Sequence, residues 1–245
     1  MPDIDAGRGP GRPPLRQLSA ADARILRQGP LVRDLSDSDA EVLAPHVRSL
    51  ILPRGDHLFA EGDVGDQLYF VIDGKVKLTK AAPDGRENLI SVHGPGDMFG
   101  ELAMFDPTYR TTSATALTDT RLAVLAHDDL RQCLETRPAL AIHLLKALAQ
   151  RLRRITDANT NLVFTDVPGR VAKALLELSD KFGVLQEDGL LVNHDLTQEE
   201  LAQLVGASRE TVNKALADFA TRGWISVSAK SVLLLDIDRL KRRAR

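Results

Sequence analysis

The chain has 245 residues, of which 43% are hydrophobic and 27% charged, a composition typical of a globular protein with one or two domains. Its 32 lysines and arginines nearly balance its 34 aspartates and glutamates. This balance excludes nucleic-acid binding through bulk positive charge, so any such site must be local. The single cysteine, Cys133, excludes a disulfide framework and a zinc or iron–sulfur centre built from cysteines.

The sequence also lacks the signals of a membrane or secreted protein. No apolar run reaches the roughly 18 residues of a membrane span. The N-terminus has no apolar core like that of a signal peptide. We therefore expect a cytoplasmic protein that has no membrane partner.

Residues 1–29 are predicted to form a disordered or short helical extension. The first 18 residues are rich in proline and glycine, and they cannot bury enough apolar surface to order themselves. Short helices are expected from residue 19 to residue 48, because Ser19 and Ser36 can each cap a helix N-terminus.

Short apolar runs alternate with turn signals between residues 51 and 125, which predicts an antiparallel barrel or roll. The pair Asp73-Gly74 lies between two such runs and predicts a hairpin, because Asp-Gly suits a two-residue turn with positive φ. Asp84-Gly85 marks a second turn. We assign residues 30–138 to this β-roll.

Apolar residues recur every three or four positions on the predicted helix 139–164, which indicates a seam of almost three heptads. The seam consists of Leu145, Leu148, Leu152, Ile155, Asn159 and Leu162. A polar residue such as Asn159 is typical of a helix that pairs with its twin, since a buried asparagine fixes the register. We therefore predict a homodimer; the alternative is a helix packed on its own domain.

The C-terminal third of the chain is predicted to form a winged helix-turn-helix at residues 165–238, followed by a basic tail at 239–245. Pro168-Gly169 is expected to break the preceding helix. Two apolar runs, 224–227 and 232–235, predict a two-stranded wing.

The helix-turn-helix itself is indicated by capping residues at fixed spacing. Thr197 is placed to cap a first helix, and Glu200 three residues later completes a capping box. Gly206 allows a sharp turn, and Ser208 is placed to cap a second helix. Two capped helices joined by a glycine turn are the pattern of a helix-turn-helix.

The second helix of this motif presents its N-terminal end to the major groove of DNA. Arg209 can donate a fork to guanine and Glu210 can accept from cytosine, while hydroxyl groups can donate to phosphates. The candidate DNA-binding residues are Thr197, Ser208, Arg209, Glu210, Thr211, Asn213 and Lys214. The alternative is an αα-hairpin with a solvated charged face.

A second set of polar residues lies in the predicted β-roll. Glu101 is an acceptor suited to a sugar hydroxyl, and Gly100 permits a close approach by a ligand. Nine residues after Glu101, Arg110 offers a planar fork to a phosphate, and Thr111 adds a hydroxyl donor. Together they suit a ribose phosphate; the alternative is an ion pair of Glu101 and Arg110 at the surface.

Four segments in this order resemble the cyclic-AMP receptor (catabolite activator) proteins of the Crp–Fnr superfamily, over about residues 30–240. They are Gly100-Glu101-Leu102, Arg110-Thr111, Phe164–Arg170 and Ser208–Val212. The resemblance implies an α+β fold with a jelly-roll-like effector domain, a long dimerisation helix and a C-terminal winged helix-turn-helix. It also implies a homodimeric transcription regulator in which cAMP reorients the recognition helices onto a palindromic operator, with RNA polymerase as a candidate partner.

The same resemblance assigns roles to single residues. Glu101 would bind the ribose hydroxyl, and Arg110 and Thr111 the cyclic phosphate. Relatives that bind cAMP place two adjacent polar residues of the dimer helix against adenine; the matching residues here are Ile155 and Thr156, which weakens the case for adenine over guanine. The candidate cAMP-binding residues are Phe99, Gly100, Glu101, Leu102, Ala103, Arg110, Thr111, Ile155 and Thr156.

At the position of Lys214 the family often has arginine. Because lysine lacks the planar, bidentate guanidinium, we expect weaker discrimination between bases at this position.

Two rival functions stay open. One is a regulator of the same fold that binds DNA largely without cAMP, because Ile155 strengthens the dimer seam, or that responds to another effector. The other is a nucleotide-sensing adaptor without a DNA function. We expect no enzyme, metal site or haem site, because the six histidines fall outside any nucleophile or metal motif. Oxygen sensing of the family's kind would need a cluster of cysteines.

Overall fold

The chain divides into two compact units, one of residues 1–78 and 92–147 and one of residues 79–91 and 148–245. The structure is a computed structural model. It describes residues 15–27, 37–82, 87–102, 109–143, 145–146, 149, 153 and 165–244. The sequence-based domain limits at residues 30, 138, 165 and 238 stay predictions.

Several short helices of the N-terminal unit have both of their ends within the described residues. They are α1 (Ala20–Leu26), α2 (Asp37–Leu43) and α3 (His127–Thr136), with a 3₁₀ turn at Ala44–His46. The predicted cap of α1 is confirmed, because the Ser19 side chain accepts a hydrogen bond from the Asp22 N–H. Ser36, the other predicted cap, lies outside the described residues.

Within the described residues, nine strands form the β-roll as two sheets, and the first of them lies before residue 30, where the predicted roll begins. They are β1 (Arg16–Gln17), β2 (Arg48–Leu52), β3 (His57–Phe59), β4 (Gln67–Asp73), β5 (Val76–Ala81), β6 (Glu87–His93), β7 (Met98–Phe99), β8 (Ser113–Ala116) and β9 (Thr120–Ala126). The strand orders are β1-β2-β9-β4-β7 and β3-β8-β5-β6. The β-rich N-terminal architecture predicted from the turn pattern is therefore confirmed.

Strand β4 explains how one sheet serves two cores. Successive side chains of a strand point to opposite faces. Leu68, Phe70 and Ile72 pack in a cluster with residues of the helices, such as Leu26 and Leu130. The alternate residues Tyr69 and Val71 join a second cluster, which includes residues of both sheets. Strand β4 is therefore apolar on both faces, and its sequence shows a continuous apolar run.

The Asp73-Gly74 pair is not a hairpin turn, so that prediction is wrong. Strands β4 and β5, which flank it, lie in different sheets. Gly74 has φ of +85°, as Asp-Gly turns require, but a Cβ there would lie 2.3 Å from the carbonyl oxygen of Asp119. The Lys75 N–H donates to Thr118 Oγ1 at 2.9 Å. The pair therefore carries the chain from one sheet to the other, against residues 117–120.

Only part of the predicted dimerisation helix is described. Residues 138–143, 145, 146, 149 and 153 are helical, and the side chain of Leu145 is 65% exposed. The other seam residues, Leu148, Leu152, Ile155, Asn159 and Leu162, lie outside the described residues.

The C-terminal lobe combines four helices with one sheet. Its elements are α4 (Val167–Phe182), β10 (Gly183–Gln186), β11 (Gly189–Asn193), α5 (Gln198–Val205), α6 (Arg209–Thr221), β12 (Ile225–Val227), β13 (Ser231–Leu234) and α7 (Ile237–Arg243). The strand order is β10-β11-β13-β12. The two predicted wing strands are present as β12 and β13, but the hairpin β10–β11 extends them to a four-stranded sheet.

Two further predictions about this lobe are corrected by the structure. The non-helical residues are Thr165 and Asp166, whereas Pro168 and Gly169 lie inside the first turn of α4, where proline is well tolerated, so they begin a helix. The end of the preceding helix lies outside the described residues. The predicted basic tail 239–245 is mostly helix α7, which Asp236 caps. Leu240 is fully buried on this helix, so the basic residues flank an apolar anchor. None of the described helices has the length and hydropathy needed to cross a bilayer.

We expect Gly74→Ala to destabilise the protein much more than Gly55→Ala. Both glycines have positive φ, +85° and +87°, so both variants carry backbone strain. Only at position 74 does the new Cβ meet backbone, because nothing lies within 4 Å of the Cβ at position 55. The free energy of unfolding in urea should fall by about 2 kcal/mol more for Gly74→Ala. An equal decrease in the free energy of unfolding for the two variants would show that residues 117–120 move aside to accommodate the new methyl group.

Candidate functional site

The guanidinium of Arg110 lies inside the β-roll, and the residue is only 5% exposed. Its Nη1 donates to the carbonyl oxygen of Gly100 at 3.1 Å, and its Nη2 donates to that of Gln67 at 2.9 Å. The guanidinium carbon lies 4.3 Å from the centre of the Phe59 ring and 5.5 Å from that of Tyr69. Two backbone carbonyls and two aromatic faces therefore fix the cation.

The backbone of Arg110 is held as firmly as its side chain. Its N–H donates to the carbonyl oxygen of Asp63 at 2.7 Å, and its own carbonyl accepts from the Gly62 N–H at 2.8 Å. The neighbouring residue Tyr109 forms an isolated β-bridge with Val64. The loop between β3 and β4 thus positions Arg110 before β8 begins.

Three aromatic rings build the wall beside Arg110. Tyr69 stacks on Phe99 with ring centres 5.3 Å apart, and Phe59 lies 5.8 Å from Tyr69. The Tyr69 hydroxyl donates to Gln67 Oε1 at 2.9 Å. Sequence reasoning missed Phe59, Gln67 and Tyr69. Tyr69 could have been found, because the alternation of residues along β4 places it on the face that packs between the two sheets. The sequence around Phe59 contains no sign that its ring contacts Arg110.

Gly100 joins the two segments of the predicted ligand site, residues 99–103 and residues 110–111. Its φ is +84°, and a Cβ there would lie 2.7 Å from Arg110 Nη1. The next residue, Glu101, is 2% exposed. Because Glu101 and Arg110 are both buried, the alternative of a surface ion pair is wrong.

The other predicted ligand residues differ in their exposure. Phe99 is fully buried in the aromatic wall, whereas Leu102 and Thr111 are exposed. Ala103, Ile155 and Thr156 lie outside the described residues. In the part of the chain that the structure describes, no group of three or more His, Cys, Asp or Glu residues could hold a metal ion.

The predicted helix-turn-helix is present as α5 and α6. Thr197 and Glu200 form the predicted capping box, in which the Thr197 N–H donates to Glu200 Oε2 at 2.8 Å and the Glu200 N–H donates to Thr197 Oγ1 at 3.2 Å. Gly206 ends α5 in the left-handed conformation. Ser208 caps α6 by accepting from the Thr211 N–H. These caps and the glycine turn are confirmed.

Most of the predicted DNA-binding residues lie on the surface. Thr197, Ser208, Arg209, Glu210, Thr211 and Lys214 are exposed. Asn213 is half-buried, and its Nδ2 donates to Gln198 Oε1 at 3.1 Å. Asn213 is thus less exposed than predicted, because its amide connects α6 to the first turn of α5, and its role in base reading stays a prediction.

The turn between α5 and α6 is also tied to the start of the lobe. Arg170 donates to three carbonyl oxygens, those of Thr165, Val205 and Gly206. Asp166 caps α4 and is bound by Arg243 of α7, with Oδ2 and Nη2 2.6 Å apart. The hydrogen bond from Arg243, then that from the Gly169 N–H, holds the pKa of Asp166 below its ordinary value.

Comparison with known proteins matches both halves of this arrangement. Residues 50–137 match the cyclic nucleotide-binding domain, and residues 169–243 match the Crp-like helix-turn-helix domain. The chain belongs to the Crp–Fnr superfamily of transcription regulators. It therefore carries a cyclic nucleotide-binding domain and a DNA-binding domain, and its superfamily is one of transcription regulators rather than enzymes.

Several relatives span almost the whole chain. A CRP-like cAMP-activated global transcriptional regulator of Mycobacterium tuberculosis is 53% identical over 90% of this chain and 99% of its own. A cyclic AMP receptor protein of Thermus thermophilus is 32% identical over 84% and 93%. Among solved structures, the c-di-GMP responsive global regulator CLP of Xanthomonas campestris matches with a TM-score of 0.69 and 27% identity, over 81% and 99%.

We expect Arg110→Lys to destabilise the N-terminal lobe by about 1–3 kcal/mol, because an ammonium cannot reach both carbonyls or stack on the rings as a guanidinium does. Arg54→Lys, on an exposed arginine of the same lobe, should change stability by less than about 0.5 kcal/mol. Urea unfolding followed by near-UV dichroism of the two tyrosines, Tyr69 and Tyr109, checks this. Equal stability of the two variants would contradict the described anchoring of Arg110.

Proposed function

We propose that this regulator is a homodimer that is switched by cAMP and binds palindromic operator DNA. One observation carries the proposal that the protein binds a nucleotide. Glu101 and Arg110 are both buried, and Arg110 donates to the carbonyl oxygen of Gly100, the residue before Glu101. A guanidinium can donate two parallel hydrogen bonds to a phosphate, and Arg110 is held beside the Gly100 backbone, where we propose that the cyclic phosphate binds.

The residue roles follow from chemistry and exposure. Arg110 supplies the charge for the cyclic phosphate, and the exposed hydroxyl of Thr111 donates to the same group. Glu101 accepts from the ribose hydroxyl. We assign Phe99, Gly100 and Leu102 to the surrounding wall. For Ala103, Ile155 and Thr156 the assignment rests on the family resemblance alone, which gives Ala103 to the wall and the other two to the base. Within this site Thr156 is the polar group proposed to select adenine.

Relatives support cAMP as the nucleotide. The Mycobacterium tuberculosis and Thermus thermophilus relatives are a cAMP-activated regulator and a cyclic AMP receptor protein, respectively. The first of these is 53% identical to this chain over 221 residues. On this basis we propose cAMP rather than another cyclic nucleotide.

The DNA-binding half of the proposal depends on α6. Arg209 reads guanine, Glu210 accepts from cytosine, and Lys214 donates as a point charge. Thr197, Ser208 and Thr211 bind phosphates, and Asn213 holds α6 against α5. Pairing of two chains through helix 139–164 would give a dimer with two symmetry-related recognition helices. The two half-sites of the operator should therefore lie about 10–11 base pairs apart, centre to centre. We propose that the protein meets such an operator in the cytoplasm, with RNA polymerase as a further partner.

A second candidate is a regulator of the same fold with another effector or none. Ile155 favours it, because an apolar side chain replaces one of the polar residues that the family sets against adenine. A similar solved structure is that of a c-di-GMP responsive regulator, which supports another nucleotide as a candidate effector.

Calorimetric titration with cAMP, cGMP and c-di-GMP separates these candidates. We expect cAMP to bind at micromolar or tighter concentration and at least about tenfold more tightly than the other two, a difference of about 1.4 kcal/mol. Thr111→Ala should weaken cAMP roughly 3- to 10-fold, the value of one hydrogen bond, without lowering stability. The matched control is Thr118→Ala, in a loop of the same lobe, which should bind like the wild type.

Absence of heat with all three nucleotides, from a folded dimer, would contradict the cAMP switch and leave the DNA-binding half standing. Tighter binding of c-di-GMP would favour the second candidate.

Arg209→Ala should lose about 1–3 kcal/mol of operator affinity and relax the preference at one base position. The probe is DNA selected from a random duplex pool by the wild-type protein, and the measurement is fluorescence anisotropy at fixed salt. Arg222→Ala, at the C-terminal end of the same helix and ion-paired with Asp218, should bind within about twofold of wild type. Failure of the wild-type protein to enrich any sequence from the pool would favour the adaptor function, and wild-type affinity of Arg209→Ala would contradict base reading by Arg209. A selected consensus without two-fold symmetry would contradict the dimeric reader.

A further inference from the structure

The side chain of Arg170 joins two places that are far apart in the sequence of the C-terminal lobe. Its Nε donates to the carbonyl oxygen of Val205 and its Nη2 to that of Gly206, each at 3.1 Å. Its Nη1 donates to the carbonyl oxygen of Thr165, also at 3.1 Å. Each nitrogen of one planar group therefore holds a different carbonyl.

Two of these carbonyls end helix α5. The last carbonyls of a helix have no partner within it, and they form the negative end of its dipole. A guanidinium satisfies them and also pins the turn at Gly206, whose left-handed conformation sets the direction in which α6 leaves. Arg170 thus fixes the turn that aims the recognition helix.

The third carbonyl belongs to the segment through which the chain enters the lobe. The described chain resumes at Thr165, and Asp166 follows as the cap of α4. Asp166 is bound by Arg243 of α7, and a Cβ on Gly169 would lie 3.1 Å from the Arg243 carbonyl oxygen. The entry segment is therefore held by one arginine from α4 and one from the last helix.

We propose that Arg170 is a positioning residue that couples the entry segment 165–166 to the turn between α5 and α6. The guanidinium is rigid and planar, so a displacement of the Thr165 carbonyl either moves the turn with it or breaks a charge-assisted hydrogen bond. A shift of the entry segment thereby becomes a change in the aim of α6. This inference rests on the proposed cAMP switch, which supplies the displacement.

The test compares operator affinity with and without saturating cAMP. In the wild type the ratio of the two affinities should be at least about fivefold, the lower end of ordinary allosteric coupling. In Arg170→Lys it should fall to within about twofold of one, because a lysine keeps the charge but cannot hold three carbonyls at once. The nucleotide should still bind, as titration of the DNA-free protein will show.

A control on the same helix separates coupling from general stability. Lys173→Ala removes a cation that pairs only locally with Glu177, and the affinity ratio should stay at the wild-type value. If Arg170→Lys weakens DNA binding equally with and without cAMP, so that the ratio is preserved, Arg170 merely stabilises the lobe and the proposal is overturned. A wild-type ratio of one, with intact operator binding, overturns the cAMP switch itself and the coupling with it.

A measurement on the wild type keeps the proposal testable if Arg170→Lys does not fold. Amide hydrogen exchange of the full-length protein, with and without cAMP, should change together at residues 165–170 and at residues 205–208. A change at the first segment without one at the second would overturn the coupling.

Discussion

A buried guanidinium organises the effector domain of this regulator. Desolvation of an ion costs several kcal/mol even in a real protein interior, and carbonyls and ring faces around Arg110 help to offset that cost. Those partners come from separate elements: Phe59 ends β3, Gln67 begins β4 and Gly100 follows β7. Satisfying one cation therefore fixes how these three strand ends meet, and the left-handed conformation of Gly100 is part of that solution.

The C-terminal lobe uses an arginine in a similar way but with a different electrostatic result. Both Arg110 and Arg170 donate to backbone carbonyls. The carbonyls that Arg170 holds at Val205 and Gly206 end a helix, so its charge is offset by the helix dipole. The carbonyl partners of Arg110 lie at strand ends, where the net dipole is small. Arg170 is thus suited to fixing a helix end and the turn that follows it, whereas Arg110 joins strand ends at the proposed phosphate site.

Sequence reasoning succeeded where the physical cause is local and failed where it is not. Ser19, Thr197 and Ser208 were predicted as caps, because a cap needs only the next three residues. Asp73-Gly74 was predicted as a hairpin, because turn chemistry fixes φ but not the strand that β5 will join. The helical nature of α7 was missed, since four basic residues concealed its buried anchor, Leu240. The contact of Asn213 with Gln198 depends on the packing of two helices, and the aromatic wall of Arg110 depends on two loops.

The charge balance of the DNA-binding lobe explains why orientation is a sensitive control. The residues from 165 to the C-terminus contain as many acidic as basic side chains, so the lobe has no net attraction for a polyanion. On the proposed DNA-binding role, affinity has to come from the placement of a few exposed groups, such as Arg209 and Lys214, against bases and phosphates, with the acid Glu210 beside them. A misaligned α6 would bring Glu210 to a phosphate and lose the arginine's fork. Affinity built on placement is therefore lost through small rotations of α6, and a single side chain at its turn can have a large effect on it.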